Sequence, residues 1–328
     1  MFDLITITTQ PLSDDKIDLI VLRNGLQENS RDGVVFYDNQ DTKNLLQQRG
    51  VYVKIDTNKR LKAEGSLQKF HNEVLFGDRN NYNMFTMSDA QIAMKNLLHE
   101  KGIAIDDAYV YNYEIGLNLN VTKDCIHYLN KMRSIGALGR ERELYVNPIY
   151  ENPTQRNERT KVTGMYKVRK HYKAYDKVHE SKQKKRKIIP DGNILRIETV
   201  MRRLSNCPMK DFLHPDNLHK MVDAFFRDWN TVQFERDIIT PKGTGRAKQH
   251  LCMEIMIKGR NEVLSEAKAR HSIGSLTDWE YRNIREFVTK EWDEVKKHIT
   301  FIQSEEEKEF RELLSINHTI LRNDEILK

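Results

Sequence analysis

The sequence predicts an α+β chain in which an antiparallel sheet carries helices on one face, followed by an all-helical C-terminal region. Three observations predict it. Short runs alternating with period two fill much of the first 80 residues and return at 108–121, 162–177 and 193–200. Segments with capping signals and helical periodicity fall between them. After about residue 206 the alternation gives way to helical spacing, so the expected domains are 1–206 (α+β) and 207–328 (helical).

The elements follow in order. LITIT, GVVFYD and VYVKID read as strands bounded by Asn, Asp and Gly. GSLQKF (65–70) reads either as a hairpin turn or as a loop placing amides and Lys69 near a phosphate. Ser88 and Gln91 form a capping-box pair ahead of Ile92, Leu97 and Leu98, and Gly102 stands where a helix ends. A strand follows (AYVYNYEIGLNLNV), then a helix from near Thr122 with Cys125, Ile126, Leu129 and Met132 inward. Residues 134–160 read as a long turn-rich loop, followed by two strands joined by a basic turn. This order, β-β-β-α-β-α-β-β, suits helices packed on an antiparallel sheet. Further on, Leu218, Met221, Val222, Phe225 and Phe226 form one helical stripe. Ile284, Phe287, Val288, Trp292, Val295 and Ile299 form another behind the Thr277–Glu280 capping box. The acidic SEEEKEFRELL also reads as helix. The segment from Ala267 through Gly274 into the Thr277 helix has helix-turn-helix proportions, so Arg282, Arg285 and Lys290 can reach a duplex, although a plain amphipathic bundle explains them equally.

Composition bounds the rest. Apolar residues are 38 % of the 328 and charged residues 31 %, a wet but foldable mixture. No run approaches the roughly 18–20 apolar residues of a membrane helix, and the first ten residues lack a signal-peptide pattern. Cys125, Cys207 and Cys252 are far apart with no CxxC pair, which argues against a disulfide framework or a cysteine-rich zinc site. A soluble, cytoplasmic protein with no membrane partner is expected. The net charge of +6 is unevenly spread: Arg156 to Lys187 holds thirteen basic residues against Glu158, Asp176 and Glu180, so this stretch carries +10 and the remainder −4. Such concentration favours a polyanion. The tyrosines interleaved in KVRKHYKAYDK add stacking faces to phosphate contacts. Lys69, Lys167, Arg169, Lys170, Lys173, Lys184, Lys185 and Arg186 are the expected nucleic-acid contacts.

Strand alternation sorts the chemistry-bearing residues. Glu114, Gly116, Asn118 and Asn120 share one face of their strand; Arg196 and Glu198 share a face; His171, Lys173, Tyr175 and Lys177 share a third. If these strands are neighbours, two carboxylates, a lysine and a tyrosine meet. Carboxylate and amide oxygens suit Mg²⁺ or Mn²⁺, and such an ion polarises a phosphodiester toward attack by a tyrosine oxygen. A phenol with pKa near 10 needs a cation beside it to ionise at neutral pH, and Lys177 is placed to supply part of that charge. No His-x-His pair and no GxxxxGK[ST] phosphate loop occur. The competing readings are a non-catalytic origin or operator binder, and a single-strand or RNA-binding module that stacks bases on the same tyrosines.

GSLxKF, EIGxN, YDKxxE and RIE, in that order across residues 50–206, resemble the phage and plasmid replication initiators related to the gene II proteins of filamentous phages. The likeness is nearest to their Bacteroidetes branch and more distant to the trans-acting Rep proteins of Gram-positive rolling-circle plasmids. The resemblance implies an HUH-endonuclease-like sheet and a metal-dependent nickase and strand transferase. A tyrosine becomes joined to a 5′ phosphate, leaving a free 3′ hydroxyl. It implies Tyr175 as nucleophile with Lys177 beside it, Glu114, Glu198 and Glu180 toward Mg²⁺ or Mn²⁺, and Tyr172 as the rival nucleophile. The implied partners are origin DNA, single-stranded or supercoiled, and a host helicase and polymerase in a bacterial cytoplasm.

Overall fold

The computed structural model describes residues 2–40, 49–137, 140–148, 156–163 and 168–325. Lys167 lies outside the described residues. The strands are β1 (Phe2–Thr9), β2 (Gln27–Arg31), β3 (Val34–Asp38), β4 (Tyr52–Ile55), β5 (Leu61–Ser66), β6 (Ala108–Asn120), β7 (Met132–Ile135), β8 (Arg142–Glu143), β9 (Tyr145–Pro148), β10 (Arg156–Val162), β11 (Lys170–Asp176), β12 (Ile194–Met201), β13 (Gln233–Phe234), β14 (Asp237–Ile239) and β15 (Thr300–Ile302). Ten of them form one antiparallel sheet in the order β2-β3-β4-β5-β1-β6-β12-β11-β10-β9. The 13-residue β6 is its spine, pairing with β1 on one side and β12 on the other. β12 is buried along seven of its eight residues, although its sequence ILRIETVM includes an arginine and a glutamate. Apolar neighbours above and below explain the burial of its other residues; the two charges need partners of their own.

Several local expectations change. GSLQKF opens a helix rather than closing a hairpin: the Ser66 hydroxyl accepts the Lys69 N–H, and Leu67 and Phe70 of helix Leu67–Phe76 turn into the core. Helix Met87–Lys101 is capped by Thr86 and Asp89, which satisfy each other's backbone N–H, instead of by Ser88 and Gln91. Ser88 instead donates its amide and hydroxyl to Asp324, and Gln91 reaches the Leu213 carbonyl. Gly102 does end the helix, at φ +71°, where a side chain would be strained. Helix Asp14–Asn24 has no counterpart in the expected β-rich start. Within 134–160, β8, β9 and the start of β10 replace much of the anticipated loop. The basic turn after β11 begins as helix Lys177–Gln183, whose N–H groups are capped by Asp176.

Helices cover both faces of the sheet, not one. Helix Pro215–Trp229 lies over the face carrying Thr199, to whose hydroxyl the Trp229 indole donates at 3.1 Å. Helix Leu67–Phe76 serves the other face, where Gln68 lines a cavity with Gly116, Asn118 and Arg196.

The chain divides into two compact units, Met1–Phe234 with Glu306–Lys328, and Glu235–Glu305, which moves the boundary away from residue 206. The stripe Leu218, Val222, Phe225 and Phe226 therefore belongs to the sheet unit's core. So does helix Glu305–Arg322. Its Phe310 ring lies 5.2 Å from that of Phe234, its Glu306 accepts from Lys123 and Lys131, and its Arg311 donates to the Asn230 carbonyl at the end of the Trp229 helix. The acidic tail is thus a docked helix, with Glu306 matched by two lysines and Glu307 by Arg311. The second unit holds helices Arg246–Lys258, Arg260–Ser272 and Asp278–Glu286, a π-helical turn at Phe287–Glu291, helix Trp292–Lys297 and the ribbon β14–β15. Cys252, Ile255, Val263, Phe287, Val288, Trp292 and Ile299 form its core. No helix among the described residues is long and apolar enough to cross a membrane.

Because Phe310 is fully buried against the sheet unit, Phe310→Ala is expected to lower stability by about 3–5 kcal/mol in urea unfolding. A loss below about 1 kcal/mol would detach the C-terminal helix from this core.

Candidate active site: a buried arginine and its carboxylates

Register decides which side chains meet. β12 places Glu198 opposite Gly116 of β6 and Lys173 of β11, and Arg196 opposite Asn118 and Tyr175. Val200 stands between Glu114 and His171 in the same rows. Because side chains alternate, one face of three adjacent strands carries Glu114, Asn118, Arg196, Glu198, Lys173 and Tyr175 together.

Arg196, only 1 % exposed, is the hub. Its Nε donates to Glu198 Oε1 at 2.7 Å, Nη1 to Asn118 Oδ1 at 2.9 Å and Nη2 to Asp3 Oδ2 at 2.7 Å. Asp3 also accepts from Asn81 at 2.7 Å and from the Ser66 hydroxyl. A buried guanidinium is tolerated only when its donors are matched this way. Gly116 makes room for it: a Cβ there would sit 2.5 Å from Arg196 Nη2 and 3.2 Å from Glu198 Cγ. Lys173 Nζ bridges the two glutamates, 3.0 Å from Glu114 Oε1 and 3.3 Å from Glu198 Oε2. The Tyr175 hydroxyl donates to Glu198 Oε1 at 2.9 Å.

The electrostatics follow from burial and these contacts. Burial works to raise the Glu198 carboxyl, but Lys173 and Arg196 outweigh it and hold the group ionised well below the usual range. Burial likewise opposes ionisation of Asp3, and Arg196 again prevails. Glu114 goes the other way: burial and the charge of Glu198 push it up, with Lys173 only partly compensating. Burial, then the Glu198 charge, drives the Tyr175 phenol well above 10. Tyr175 is therefore a protonated hydrogen-bond donor here, and Lys177 does not ionise it, contrary to the expectation of a phenolate stabilised by that lysine.

Lys177 is the first residue of helix Lys177–Gln183, no longer on the strand. Its ammonium lies 5.7 Å from the Tyr175 ring centre and 2.9 Å from Glu180. Burial and then Arg196 lower its pKa. Nearby Lys69 is lowered to about 8, chiefly by burial, with Asp3 opposing and Arg186 and Lys177 adding to the effect. Both ammonium groups are thus partly desolvated, Lys177 with Glu180 as its partner.

The expected metal ligands do not fit a divalent ion as arranged. Glu180 is held by Lys177 and Lys184, and Lys173 stands between Glu114 and Glu198. No group of three His, Cys, Asp or Glu among the described residues can hold a metal ion.

The expected nucleic-acid contacts also separate. Lys173 is spent on the carboxylates, and Lys170 pairs with Asp228 at 2.5 Å. Arg169 donates to the Arg203 carbonyl at 3.2 Å. Lys161 is buried on the Met132 carbonyl, and Arg159 bridges Asp124 and Asp176. Lys184, Lys185 and Arg186 form the exposed turn just after helix Lys177–Gln183, with Lys184 paired to Glu180. Tyr172 offers no stacking surface, because it is buried edge-on against Trp229 at 5.9 Å on the opposite face of the sheet. Sequence reasoning missed Asp3, Ser66 and Asn81. Asp3 carries a legible signal, an acidic residue inside an otherwise apolar opening strand; nothing local marks Ser66 or Asn81.

No protein-family model matches the chain, and no curated protein matches it. Among solved structures it is similar to a rolling circle replication initiator protein from Geobacillus stearothermophilus, with 12 % identity, 75 % of this chain and 88 % of that chain covered, and a TM-score of 0.40. An overlap that loose assigns no residue a role.

Gly116→Ala is expected to displace Arg196 and cost about 1–3 kcal/mol in urea unfolding. The cost should shrink in an Arg196→Met background, where the clash is gone; a full-sized loss there would show that Gly116 serves something other than the guanidinium.

Proposed function

We propose that this chain is a rolling-circle replication initiator that cuts one DNA strand by transesterification, with Tyr175 as the nucleophile. The observation that carries the reading is the hydrogen bond from Tyr175 Oη to Glu198 Oε1, beside the cations Arg196 and Lys177, with Lys69 within electrostatic reach of Lys177 and Asp3. The ordered motifs GSLxKF, EIGxN, YDKxxE and RIE support it, since each contributes a residue to this one site: Lys69, Gly116, Tyr175 with Lys177, and Arg196 with Glu198.

The chemistry balances between the chain, its substrate and water. A phosphodiester approaching Lys69 and Lys177 gains charge-assisted contacts from ammonium groups already stripped of much of their water. Tyr175 Oη bonds to phosphorus while the P–O3′ bond breaks. The phenol is far too weak an acid to ionise beforehand, so its proton moves to Glu198 as the new bond forms and the phenol's acidity rises. On the opposite side of phosphorus the leaving 3′ oxygen takes a proton from water and departs as a hydroxyl, and Glu198 returns its own proton to solvent, so the step is balanced. One phosphodiester replaces another, so the stored bond permits religation without a nucleotide cofactor. Tyr172 has no place in this scheme: it packs away from the site, and burial followed by the Asp228 charge raises its phenol far above 10.

The direct test incubates the protein with single-stranded and supercoiled origin DNA and looks for a denaturant-resistant protein–DNA adduct. The parent should form it, and Tyr175→Phe should lose it by at least about 10³-fold, a fall expected when a nucleophile is removed. An undiminished adduct in Tyr175→Phe would displace the assignment. DNA binding without any adduct would favour a non-catalytic binder.

A pH dependence should accompany binding. Lys69 is cationic below about 8 and neutral above it. At constant ionic strength, affinity for a single-stranded oligonucleotide should therefore fall as pH rises through about 8. Lys69→Arg, charged throughout, should flatten the curve in fluorescence anisotropy. A parent curve that is already flat would remove Lys69 from the phosphate path.

A further inference from the structure

We infer that Lys173 is the resident cation of the Glu114–Glu198 pair and fills the position from which a divalent ion would otherwise bridge them. Three features of the geometry lead there. The first is occupancy: the ammonium reaches both carboxylates, at 3.0 and 3.3 Å, from the strand directly beside β12. The second is the shortage of remaining oxygens. Glu198 Oε1 already accepts from Arg196 and Tyr175, and Asp3 accepts from Arg196, Asn81 and Ser66. A hard divalent ion instead needs about six oxygens in close array, and Mg²⁺ holds them at about 2.0–2.1 Å.

The third feature is charge. Asp3, Glu114 and Glu198 stand against Arg196 and Lys173, which nearly balances a cluster whose members, Lys173 apart, are nine-tenths or more buried. Adding a divalent ion with Lys173 in place would leave surplus positive charge in a poorly hydrated site, which is costly. Lys173 itself is only partly enclosed, its side chain 25 % exposed, so removing it opens the carboxylate pair to an ion from solvent. His171, on the same face, adds no positive charge near neutrality, because burial and then Lys173 hold its imidazole down to about 4.

This rests on the Tyr175 reading only in setting the pair beside the proposed nucleophile, and its test is independent of DNA. The EDTA-treated full chain is titrated with Mn²⁺, and free Mn²⁺ is read by electron paramagnetic resonance. The parent and Glu198→Gln should give the same isotherm. Lys173→Met should gain one Mn²⁺ at least tenfold tighter than any site in the parent, and adding Glu198→Gln should abolish it. A parent that binds one Mn²⁺, released by Glu114→Gln or Glu198→Gln, overturns the inference; so does a folded Lys173→Met that gains none. Should Lys173→Met fail to fold, the parent against Glu198→Gln still decides. The adduct assay separates the two readings. An adduct that requires Mn²⁺ held by Glu114 keeps Tyr175 and overturns Lys173 as the resident cation. Absence of any adduct, with or without Mn²⁺, removes the nucleophile, and the titration alone then decides the role of Lys173.

Discussion

One guanidinium organises the site. Arg196 rises from β12 and binds Asp3 on β1, Asn118 on β6 and Glu198 on its own strand, so three neighbouring strands are keyed to a single cation. Through Glu198 the link extends to Tyr175 and Lys173 on β11. Burying a charge is expensive, and this one is stabilised because each of its three nitrogens donates to an oxygen, two of them carboxylate. The sheet's register is therefore tied to the site's chemistry: a one-residue slip of β12 would turn Arg196 into the apolar layer and bring Ile197 to the carboxylates.

The same constraint sets the tyrosine's behaviour. Arg196 and Lys173 hold Glu198 ionised, and an ionised Glu198 in a buried setting makes the Tyr175 phenol harder to ionise. The hydroxyl is positioned and oriented but kept in its protonated form. Under the proposed reading, activation depends on what enters the site, since the groups already present favour the protonated phenol.

Much of this was legible in the sequence, because period-two alternation needs no tertiary information. YNYEIGLNLN and RIET sorted their side chains onto the correct faces, and so did KHYKAYDK as far as Asp176, after which Lys177 passes to a helix; Tyr172 and Tyr175, three residues apart on one strand, face opposite ways by parity alone. Other features depend on contacts distant in the chain. Asp3 meets Arg196 across 193 positions, and Ser88 surrendered its apparent capping role to bind Asp324. Charge counting overstated the basic segment, because Arg159, Lys161, Lys170 and Lys173 are spent on internal partners. Composition cannot distinguish a lysine facing solvent from one whose ammonium already has an oxygen. The boundary at 206 failed for a related reason: helical periodicity reveals a helix but not the core its stripe joins, and the C-terminal helix returns to the sheet.

The ribbon formed by β14 and β15 has a consequence for the chain's architecture. Asp237–Ile239 and Thr300–Ile302 are hydrogen-bonded to each other, so the polypeptide leaves for the helical unit and comes back through one narrow doorway. An insertion with adjoining ends is modular: it can be lengthened, exchanged or deleted in evolution without re-threading the host sheet. The sheet with its buried charge cluster and the inserted helices are thus free to diverge at different speeds.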